Sequence, residues 1–216
     1  MINSVVGIYG ASGFGSEVLP LARYQFPQSD FAFVDDSNKV EKFLNEEVLS
    51  FQNFCDINSK DRQIIIAIAH SKTRELLYSK VEEHKIIQPM IISSNSLILD
   101  PANISLGPGC ILCPFSMLTS NIKIGKSFHA NIYSYVAHDC VIGDFVTFAP
   151  GVKCNGNVHI KDHAYIGSGA ILKQGSSSKP LVIGEGAVIG MGAVVTKDVQ
   201  DGETVIGSPA RPMIKK

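Results

Sequence analysis

The sequence lacks a charge excess, a basic N-terminal stretch and any long apolar run. It has 216 residues, of which 19 are Lys or Arg and 20 are Asp or Glu, so the formal net charge is −1. This balance gives no electrostatic reason to expect a nucleic-acid partner. The N-terminal segment MINSVVGIYGASG resembles neither a signal peptide nor a membrane span. The sequence therefore predicts a cytoplasmic protein without a membrane partner.

The cysteines lack the arrangement of a zinc site. There are five of them, and Cys110 and Cys113 form a Cys-x-x-Cys segment without a second such pair or a histidine at ligand spacing. Cys110, Cys140 and Cys154 instead occupy positions of an internal repeat that require small apolar side chains. We interpret them as core residues and predict no metal site.

What the sequence does have is a six-residue repeat from residue 106 to residue 177, which resumes at residue 183. The first position of each hexad is nearly always aliphatic and the fifth is small or apolar, as in IGDFVT, IKDHAY and IGEGAV. A hexapeptide repeat predicts a parallel β-helix, in which stacked coils bury one continuous core. With 18 residues per coil, His138 is predicted to lie between Ser120 and Gly156, and Thr147 between His129 and Tyr165.

Residues 1–88 do not follow this period. Apolar runs at 4–9, 31–34 and 63–69 predict strands, and segments 17–24 and 72–83 predict helices. Alternating strands and helices indicate a small parallel, Rossmann-like α/β sheet. We therefore predict two domains, 1–88 and 89–216. The second includes an external loop at about 174–181 and a C-terminal tail at 204–216.

A glycine-rich loop, Gly10-x-x-Gly13-x-Gly15, follows the first predicted strand and precedes a helix. Such a loop lets backbone N–H groups approach a phosphate, and Asp35 and Asp36 after the second strand could accept hydrogen bonds from ribose hydroxyls. The spacing differs from that of dinucleotide-binding folds, which argues against an NAD-dependent oxidoreductase. A tight turn without any ligand is the alternative interpretation.

Among six histidines, His138 stands out because a carboxylate, Asp139, follows it within a regular coil. A neutral imidazole can take a proton from an attacking amine or hydroxyl, and a neighbouring carboxylate stabilises the imidazolium that forms. His129, His159 and His163 fall at hexad positions that are more often exposed corners than core. We identify His138 and Asp139 as candidate catalytic residues.

These features together resemble one family of acyltransferases, the bacterial nucleotide-amino-sugar N-acetyltransferases and the related sialic acid O-acetyltransferases. The resemblance rests on the segments YGASG at 9–13, AHDCVIGD at 137–144, GVKCNGN at 151–157 and GSPAR at 207–211. It implies a left-handed β-helix, a homotrimer, and acetyl-CoA bound as co-substrate between neighbouring subunits. His138 matches the family's general base and Asp139 its acidic partner.

The resemblance also implies ligand contacts. The positions that match the family's coenzyme contacts are Thr147, Ser168 and Met191. Those that match its nucleotide-sugar contacts are Ser12, Gly13, Phe14, Asp35, Asp36 and Ala69.

The leading hypothesis is therefore acetyl transfer from acetyl-CoA to the 4-amino group of a nucleotide-linked 4-amino-4,6-dideoxysugar, in bacterial surface-glycan biosynthesis. His138 would act as general base in a direct attack. One alternative is O-acetylation of a sialic acid or a similar sugar. Another is a trimeric binding or assembly protein that has lost catalysis. The nucleoside, the sugar epimer and the acyl length stay open at this point.

Overall fold

The computed structural model describes residues 2–37 and 40–213. The chain divides into two compact units, the first ending at Ile91 and the second beginning at Ile92. Within the described residues, the helices are too short or too polar to cross a bilayer. The last three residues of the predicted tail, 214–216, lie outside the described part.

The N-terminal unit is a five-stranded sheet with helices. In chain order its elements are β1 (Ile2–Tyr9), α1 (Gly13–Gln25), β2 (Asp30–Val34), β3 (Lys42–Phe43), β4 (Glu46–Leu49), α2 (Phe51–Cys55), β5 (Ser59–Ile66) and α3 (Ser71–Glu83). The strand order is β3-β4-β2-β1-β5, parallel except for the β3–β4 pair. The predicted parallel sheet is thus confirmed, and its central strands are buried by their apolar side chains.

The sequence reasoning missed β3, β4 and α2. The two strands form a tight hairpin in which Leu44 and Asn45 both adopt positive φ, at 51° and 66°. Such turns usually carry Asn-Gly or Asp-Gly, so the segment Phe43-Leu-Asn-Glu46 gives little signal.

The second unit is a parallel β-helix with three faces. The first face contains β6 (Ile91–Ile92), β9 (Ile111–Leu112), β12 (His129–Ala130), β15 (Thr147–Phe148), β18 (Tyr165–Ile166), β21 (Val188–Ile189), β23 (Thr204–Ile206) and β24 (Arg211–Pro212). The second face contains β7 (Leu97–Ile98), β10 (Met117–Leu118), β13 (Tyr135–Val136), β16 (Lys153–Cys154), β19 (Ile171–Leu172) and β22 (Val194–Val195). The third face contains β8 (Ile104–Leu106), β11 (Ile122–Ile124), β14 (Val141–Ile142), β17 (Val158–Ile160) and β20 (Leu181–Ile183). A short 3-10 helix, Pro101–Asn103, precedes β8, and all pairs are parallel except β23–β24.

The register between coils follows the sequence repeat. Residues of regular coils pair 18 positions apart, as His129 pairs with Thr147 and Thr147 with Tyr165. Between β18 and β21 the step is 23, because Tyr165 pairs with Val188. The five extra residues belong to the predicted external loop, in which Ser176 and Lys179 form an isolated bridge. The predicted columns are therefore confirmed for these coils.

Burial follows the hexad positions. The first and fifth positions form one continuous core that contains Cys110, Cys140 and Cys154, as predicted from the repeat. Cys113 is buried as well. All five cysteines are free thiols.

The fourth hexad position has a shared backbone conformation. It falls in the left-handed region, with φ between 52° and 73°, in every hexad from residue 106 to residue 169. These residues are Gly109, Phe115, Asn121, Ser127, Tyr133, Asp139, Phe145, Gly151, Asn157, His163 and Gly169. Left-handed backbone costs a residue with a side chain about 1 kcal/mol or more, so the turn at each corner is imposed by the stacked coils.

The prediction that corner histidines are exposed is wrong for His129 and His163, whose exposed fractions are 2% and 8%. His163 stacks on Phe145 one coil below, with ring centroids 5.3 Å apart, which explains its burial. His159, on the outer side of β17, is exposed as predicted.

Candidate active site

The His138–Asp139 pair lies where the second face turns into the third, a position called the second corner below. Nδ1 of His138 lies 2.7 Å from Oδ2 of Asp139. The two side chains are 48% and 44% exposed, so a ligand can reach them from solvent. Asp139 occupies a fourth hexad position, with φ of 59°, and its N–H donates to the carbonyl of Ser120 one coil below. The repeat itself thus places the carboxylate beside the imidazole.

The carboxyl of Asp139 is ionised at neutral pH. Hydrogen bonds from the side chain of Asn121, at 2.5 Å, and from His138 hold the pKa of this carboxyl below its ordinary value of 3.8. An ionised carboxylate only accepts hydrogen bonds, so Nδ1 of His138 must carry the proton. In the neutral imidazole, Nε2 is then the nitrogen with a lone pair, and it is able to accept a proton from a ligand.

Gly156 leaves the space that the imidazole occupies. A Cβ built on Gly156 would lie 2.5 Å from Cε1 and 2.6 Å from Nε2 of His138. Any other residue at position 156 would displace the ring. The glycine in the coil above His138 therefore belongs to the candidate site, although it has no side chain.

The side chains nearest to the pair in sequence and in the column do not provide a nucleophile. The thiol of Cys140 is buried and donates to the carbonyl of Asn155, at 3.2 Å. A hydrogen bond with Cys140 and complete burial raise the pKa of the Cys154 thiol, which therefore stays protonated. The hydroxyl of Ser120 donates to Asp100 at 2.6 Å. The pair can perform base catalysis, and Cys140, Cys154 and Ser120 are not available for a covalent intermediate.

The predicted coenzyme positions lie on other parts of the β-helix. Ser168 and Met191 are exposed and lie one above the other where the first face turns into the second, called the first corner. The N–H of Gly192 donates to the carbonyl of Ser168, which fixes this register. Thr147 lies in β15 and is only 7% exposed, so little of its side chain is available for a ligand.

In the N-terminal unit, the glycine loop connects β1 to α1. Gly10 has φ of 118°, and a Cβ on Gly15 would lie 2.0 Å from the carbonyl oxygen of Gly10, so the tight turn requires glycine at both positions. Ser12 is the N-cap residue of α1, and its hydroxyl makes no capping hydrogen bond. A Cβ on Gly13 would meet no atom within 4 Å. Ser12 and Gly13 are exposed, and Phe14 is half-buried in the first turn of the helix.

The two predicted ribose contacts differ in how they are held. Oδ2 of Asp36 accepts hydrogen bonds from Tyr9 Oη and from Lys80 Nζ, the latter at 2.8 Å, and Oδ1 accepts the N–H of Phe51 at 2.8 Å. Burial alone would raise the pKa of Asp36, but the bonds from Lys80, Phe51 and Tyr9 lower it. Burial and the bond with Asp36 raise the pKa of Tyr9. Oδ1 of Asp35 accepts only the nearby N–H of Ser37 in the described part of the chain.

This difference separates the two acids. Asp36 closes a charged network that joins the ends of β1 and β2 to α2 and α3. Asp35 lies at the same edge of the sheet with fewer bonds to its own unit. Of the two, Asp35 is the better placed to accept a hydrogen bond from a ligand.

Ala69 lies in the loop between β5 and α3. The guanidinium of Arg74, whose side chain is completely buried, donates to the carbonyls of Ile68 and Ala69 at 2.8 and 3.0 Å. His70 caps α3 by accepting the N–H of Thr73 on Nδ1. The loop conformation is thus fixed by side chains that follow it in the helix.

Comparison with known proteins identifies the family. Residues 5–81 match the model of the PglD N-terminal domain. Over 215 residues the chain is 48% identical to a GDP-perosamine N-acetyltransferase of Escherichia coli O157:H7, and the match covers 97% of this chain and 96% of the relative. The chain belongs to the hexapeptide-repeat sugar acetyltransferases.

Solved structures of similar proteins agree with this assignment. WeeI from Acinetobacter baumannii AYE has 56% sequence identity and a TM-score of 0.94, and covers 98% of this chain and 100% of its own. The acetyltransferase domain of PglB from Neisseria gonorrhoeae FA1090, solved with acetyl coenzyme A, has 24% identity, a TM-score of 0.87 and the same coverage. This likeness shows a shared fold. The β-helix is thus the left-handed one of these acetyltransferases, as the sequence resemblance implied.

Within this acetyltransferase fold, sequence reasoning placed Gly156 above His138, where the structure shows that it makes room for the imidazole. It missed Asn121, which holds Asp139, and Asn155. Asn155 accepts a hydrogen bond from the hydroxyl of Tyr135 at 2.9 Å and donates to the carbonyl of Leu172 at 2.8 Å, beside the pair. The 18-residue spacing of 121 to 139 was the signal that could have found Asn121.

Proposed function

We propose that this acetyltransferase moves an acetyl group from acetyl-CoA to the 4-amino group of a nucleotide-linked 4-amino-4,6-dideoxysugar, with GDP-perosamine as the first substrate to test. The observation that carries the proposal is the His138–Asp139 pair, with Nδ1 and Oδ2 2.7 Å apart. The substrate follows from the name of the E. coli relative, which is 48% identical over nearly the whole chain. The acetyl donor follows from the family and from the ligand named for the PglB domain.

In the proposed reaction, Nε2 of His138 accepts a proton from the sugar amine while its nitrogen attacks the thioester carbonyl carbon. The C–N bond forms, and Asp139 stabilises the imidazolium through Nδ1–H. The tetrahedral intermediate then expels the thiolate of coenzyme A, which receives the proton from His138. The products are the N-acetylated sugar nucleotide and free coenzyme A.

Direct attack is supported by the state of the neighbouring groups. Cys140 is buried, and the hydroxyl of Ser120 is engaged with Asp100. An acyl-enzyme needs an accessible nucleophile within reach of the base, and neither side chain meets that requirement.

For the nucleotide, we propose the glycine loop of the N-terminal unit. The exposed N-terminus of α1, at Ser12 and Gly13, presents backbone N–H groups and a positive dipole end to a diphosphate. Phe14 and Ala69 border the same edge of the sheet. Asp35 would accept a hydrogen bond from a ribose hydroxyl, whereas Asp36 would act indirectly by fixing the strand ends.

A homotrimer is part of the proposal. Ser168 and Met191 lie at the first corner of the β-helix, and His138 lies at the second. About five residues of extended chain, roughly 16 Å, separate the two corners along one coil. A second copy that faces its first corner toward the second corner of its neighbour would bring the coenzyme positions and the base to one cleft.

The product is an N-acetylated nucleotide sugar, which is an activated donor for glycosyl transfer. We propose that the enzyme works in the cytoplasm and supplies bacterial surface-glycan synthesis. The reaction that precedes it must place the amino group at C4 of the sugar.

The test is direct. Purified protein is incubated with acetyl-CoA and GDP-perosamine, and release of the coenzyme A thiol is measured together with the mass gain of one acetyl group on the sugar. Parallel reactions use the same amino sugar on UDP or dTDP, and CMP-linked or free sialic acid. N-acetylation of a 4-amino sugar supports the proposal, and turnover confined to sialic acid would replace it with O-acetylation.

Ligand-induced stabilisation, compared with sugar turnover, distinguishes a binding protein from an enzyme. A nucleotide at 100 times its dissociation constant raises the unfolding free energy by about 2.7 kcal/mol, which a thermal-shift screen detects. Stabilisation by nucleotide and acetyl-CoA without turnover of any sugar would support the non-catalytic alternative.

A further inference from the structure

A chain of side-chain hydrogen bonds joins three successive coils near the second corner. The hydroxyl of Tyr135, in the coil of His138, donates to Oδ1 of Asn155 at 2.9 Å. Asn155 belongs to the coil above, and its Nδ2 donates to the carbonyl of Leu172, one coil higher, at 2.8 Å. Tyr135 and Asn155 are both partly buried. The two side chains and their bonds are called the Tyr135–Asn155 clasp below.

The parallel coils do not require this clasp. One coil below, the two equivalent positions hold Met117 and Ala137, whose side chains cannot form such a bond. One coil above, they hold Lys153 and Lys173, which are two donors of like charge. The strands of these coils nevertheless pair in the same parallel register. The combination of a hydroxyl and an amide therefore belongs to the level of His138, and its purpose is to be sought there.

The backbone ladder between the coils is stretched at the clasp. In the two coils below, the equivalent N–H groups of Thr119 and Ala137 donate to carbonyls of the next coil at 3.1 and 2.9 Å. The nitrogen of Asn155 lies 3.4 Å from the carbonyl oxygen of Leu172, which is beyond the usual range for such a bond. The amide side chain of Asn155 adds a shorter bond to the same oxygen, so it restores the connection between the two coils.

The segment 155–157 holds His138 from above. A Cβ on Gly156 would lie 2.5 Å from Cε1 of the imidazole, so the ring packs directly against the backbone of this segment. The N–H of Asn157 donates to the carbonyl of His138 at 2.9 Å. The first residue of the segment, Asn155, is the one whose backbone bond to the coil above is long. The height of Gly156 over the ring therefore depends on the side chain of Asn155.

We propose that Tyr135 and Asn155 are positioning residues for acetyl transfer, because their clasp holds Gly156 where the ring of His138 keeps its bond to Asp139. The inference rests on the proposed function. Nδ1 and Oδ2 lie 2.7 Å apart in the held ring, so the proton stays on Nδ1 and Nε2 stays able to accept a proton from the sugar amine. Without the clasp, the segment shifts, the ring turns and this bond lengthens.

The hydrogen bonds of the clasp argue for this indirect role. Oδ1 of Asn155 is engaged by the hydroxyl of Tyr135, and Nδ2 is engaged by the carbonyl of Leu172. Burial raises the pKa of the Tyr135 phenol, so the hydroxyl stays a protonated donor at neutral pH. Both side chains thus act on the protein itself, and the effect reaches His138 through Gly156.

The experiment compares Tyr135→Phe, Asn155→Ala and the double variant in the full chain. Tyr24→Phe is the matched control, because Tyr24 is 73% exposed on α1 and has no part in the candidate site. Steady-state kinetics give kcat and the KM values for acetyl-CoA and GDP-perosamine. The tautomer of His138 is followed by ¹⁵N NMR of protein labelled at histidine. Its signal is assigned from its loss in His138→Ala.

Tyr135→Phe is expected to lower kcat about tenfold and Asn155→Ala about tenfold to a hundredfold, because a small displacement of a catalytic group is costly. The KM for either substrate should stay within about twofold of the wild-type value. The double variant should equal Asn155→Ala alone, since the tyrosine hydroxyl then has no acceptor to lose. In both single variants, part of the His138 signal should report a proton on Nε2. Tyr24→Phe should match the wild type throughout.

The positioning proposal has two clear ways to fail. Wild-type kcat with an unchanged His138 signal in both single variants overturns it. A lower kcat with an unchanged His138 signal also overturns it, because Asn155 or Tyr135 would then act directly on a ligand. The proposed function fails separately. If the wild type acetylates no amino sugar, the proposed function is overturned, while the NMR comparison still decides whether the clasp positions His138.

Discussion

The two units use aspartate in opposite ways. In the N-terminal unit, Asp36 is engaged by Tyr9, Lys80 and the N–H of Phe51, all from its own unit. In the β-helix, Asp139 is engaged by Asn121 below it and by His138 beside it, at an exposed corner. Hydrogen bonding lowers the pKa of both carboxyls. A carboxyl pKa below its ordinary value therefore accompanies a structural hydrogen-bond network in the N-terminal unit, at Asp36. In the β-helix it accompanies a candidate catalytic pair, at Asp139.

The largest effect is expected from His138→Ala. Removing the proposed base should lower kcat by about 10²–10⁴-fold, while the free energy of unfolding changes little because the side chain is exposed. Steady-state kinetics and urea denaturation measure the two quantities. His159→Ala, which removes an exposed histidine of β17, is the matched control and should leave both unchanged. Near-wild-type activity of the His138 variant would falsify the mechanism.

Gly156→Ala tests whether the space above the His138 ring matters. Its Cβ would lie within 3.0 Å of three ring atoms of His138, so the ring must rotate and kcat should fall about 100-fold. In the His138→Ala background the clash is absent, so the same change should cost no further activity or stability. A double-mutant cycle measures this coupling, and simple additivity of the two effects would contradict it.

The same substitution in the two units should separate activity from stability. Asp139→Asn is expected to lower kcat by about tenfold to a hundredfold, because the amide no longer fixes the proton on Nδ1 of His138. Asp36→Asn is expected to lower the free energy of unfolding by about 1 kcal/mol, a modest figure because its side chain is 45% exposed. If Asp36→Asn abolishes turnover without loss of stability, Asp36 contacts substrate and the contrast between the units is wrong.

Asp35→Asn should raise the KM for the sugar nucleotide by about threefold to tenfold and leave stability unchanged. The reason is that a ribose hydroxyl would lose a charged acceptor, while the N–H of Ser37 keeps an oxygen partner. Kinetics at saturating acetyl-CoA provide the measurement. An effect on the KM for acetyl-CoA instead would remove Asp35 from the nucleotide site.

The smallest expected effect is the pH dependence of the unfolding free energy that the Asp36 network contributes. Because the folded pKa lies below the ordinary value of 3.8, the carboxylate contributes stability above that pH, and the contribution is lost as pH falls through the folded pKa. The stability difference between wild type and Asp36→Asn should therefore be constant near neutrality and shrink below about pH 4. Urea unfolding at a series of pH values measures it, and a constant difference down to the acid limit would argue against the network.

The sequence predicted much of the β-helix because its signal is local and repeated. The hexad register located the core cysteines and the column of His138. It did not predict the left-handed backbone at the fourth position of each hexad, since Phe115, Tyr133 and Phe145 are not residues that favour it. It also missed the burial of His129.

In the N-terminal unit β1, β2, β5 and the two long helices were predictable, but the roles of the acids were not. Asp36 meets Tyr9 from 27 positions earlier and Lys80 from 44 positions later, and no period relates the three. Arg74 is likewise charged in sequence and completely buried in the fold. Contacts between distant segments decide these roles, and such contacts leave no local pattern.

Because the coils are equally spaced, equivalent positions along the second corner lie about 4.8 Å apart. His138 occupies one coil of this corner, and Gly156 occupies the coil directly above it. Inserting or deleting one 18-residue coil above Gly156 would therefore shift every later position of the corner by one coil spacing. Distances along this corner are set in whole numbers of coils.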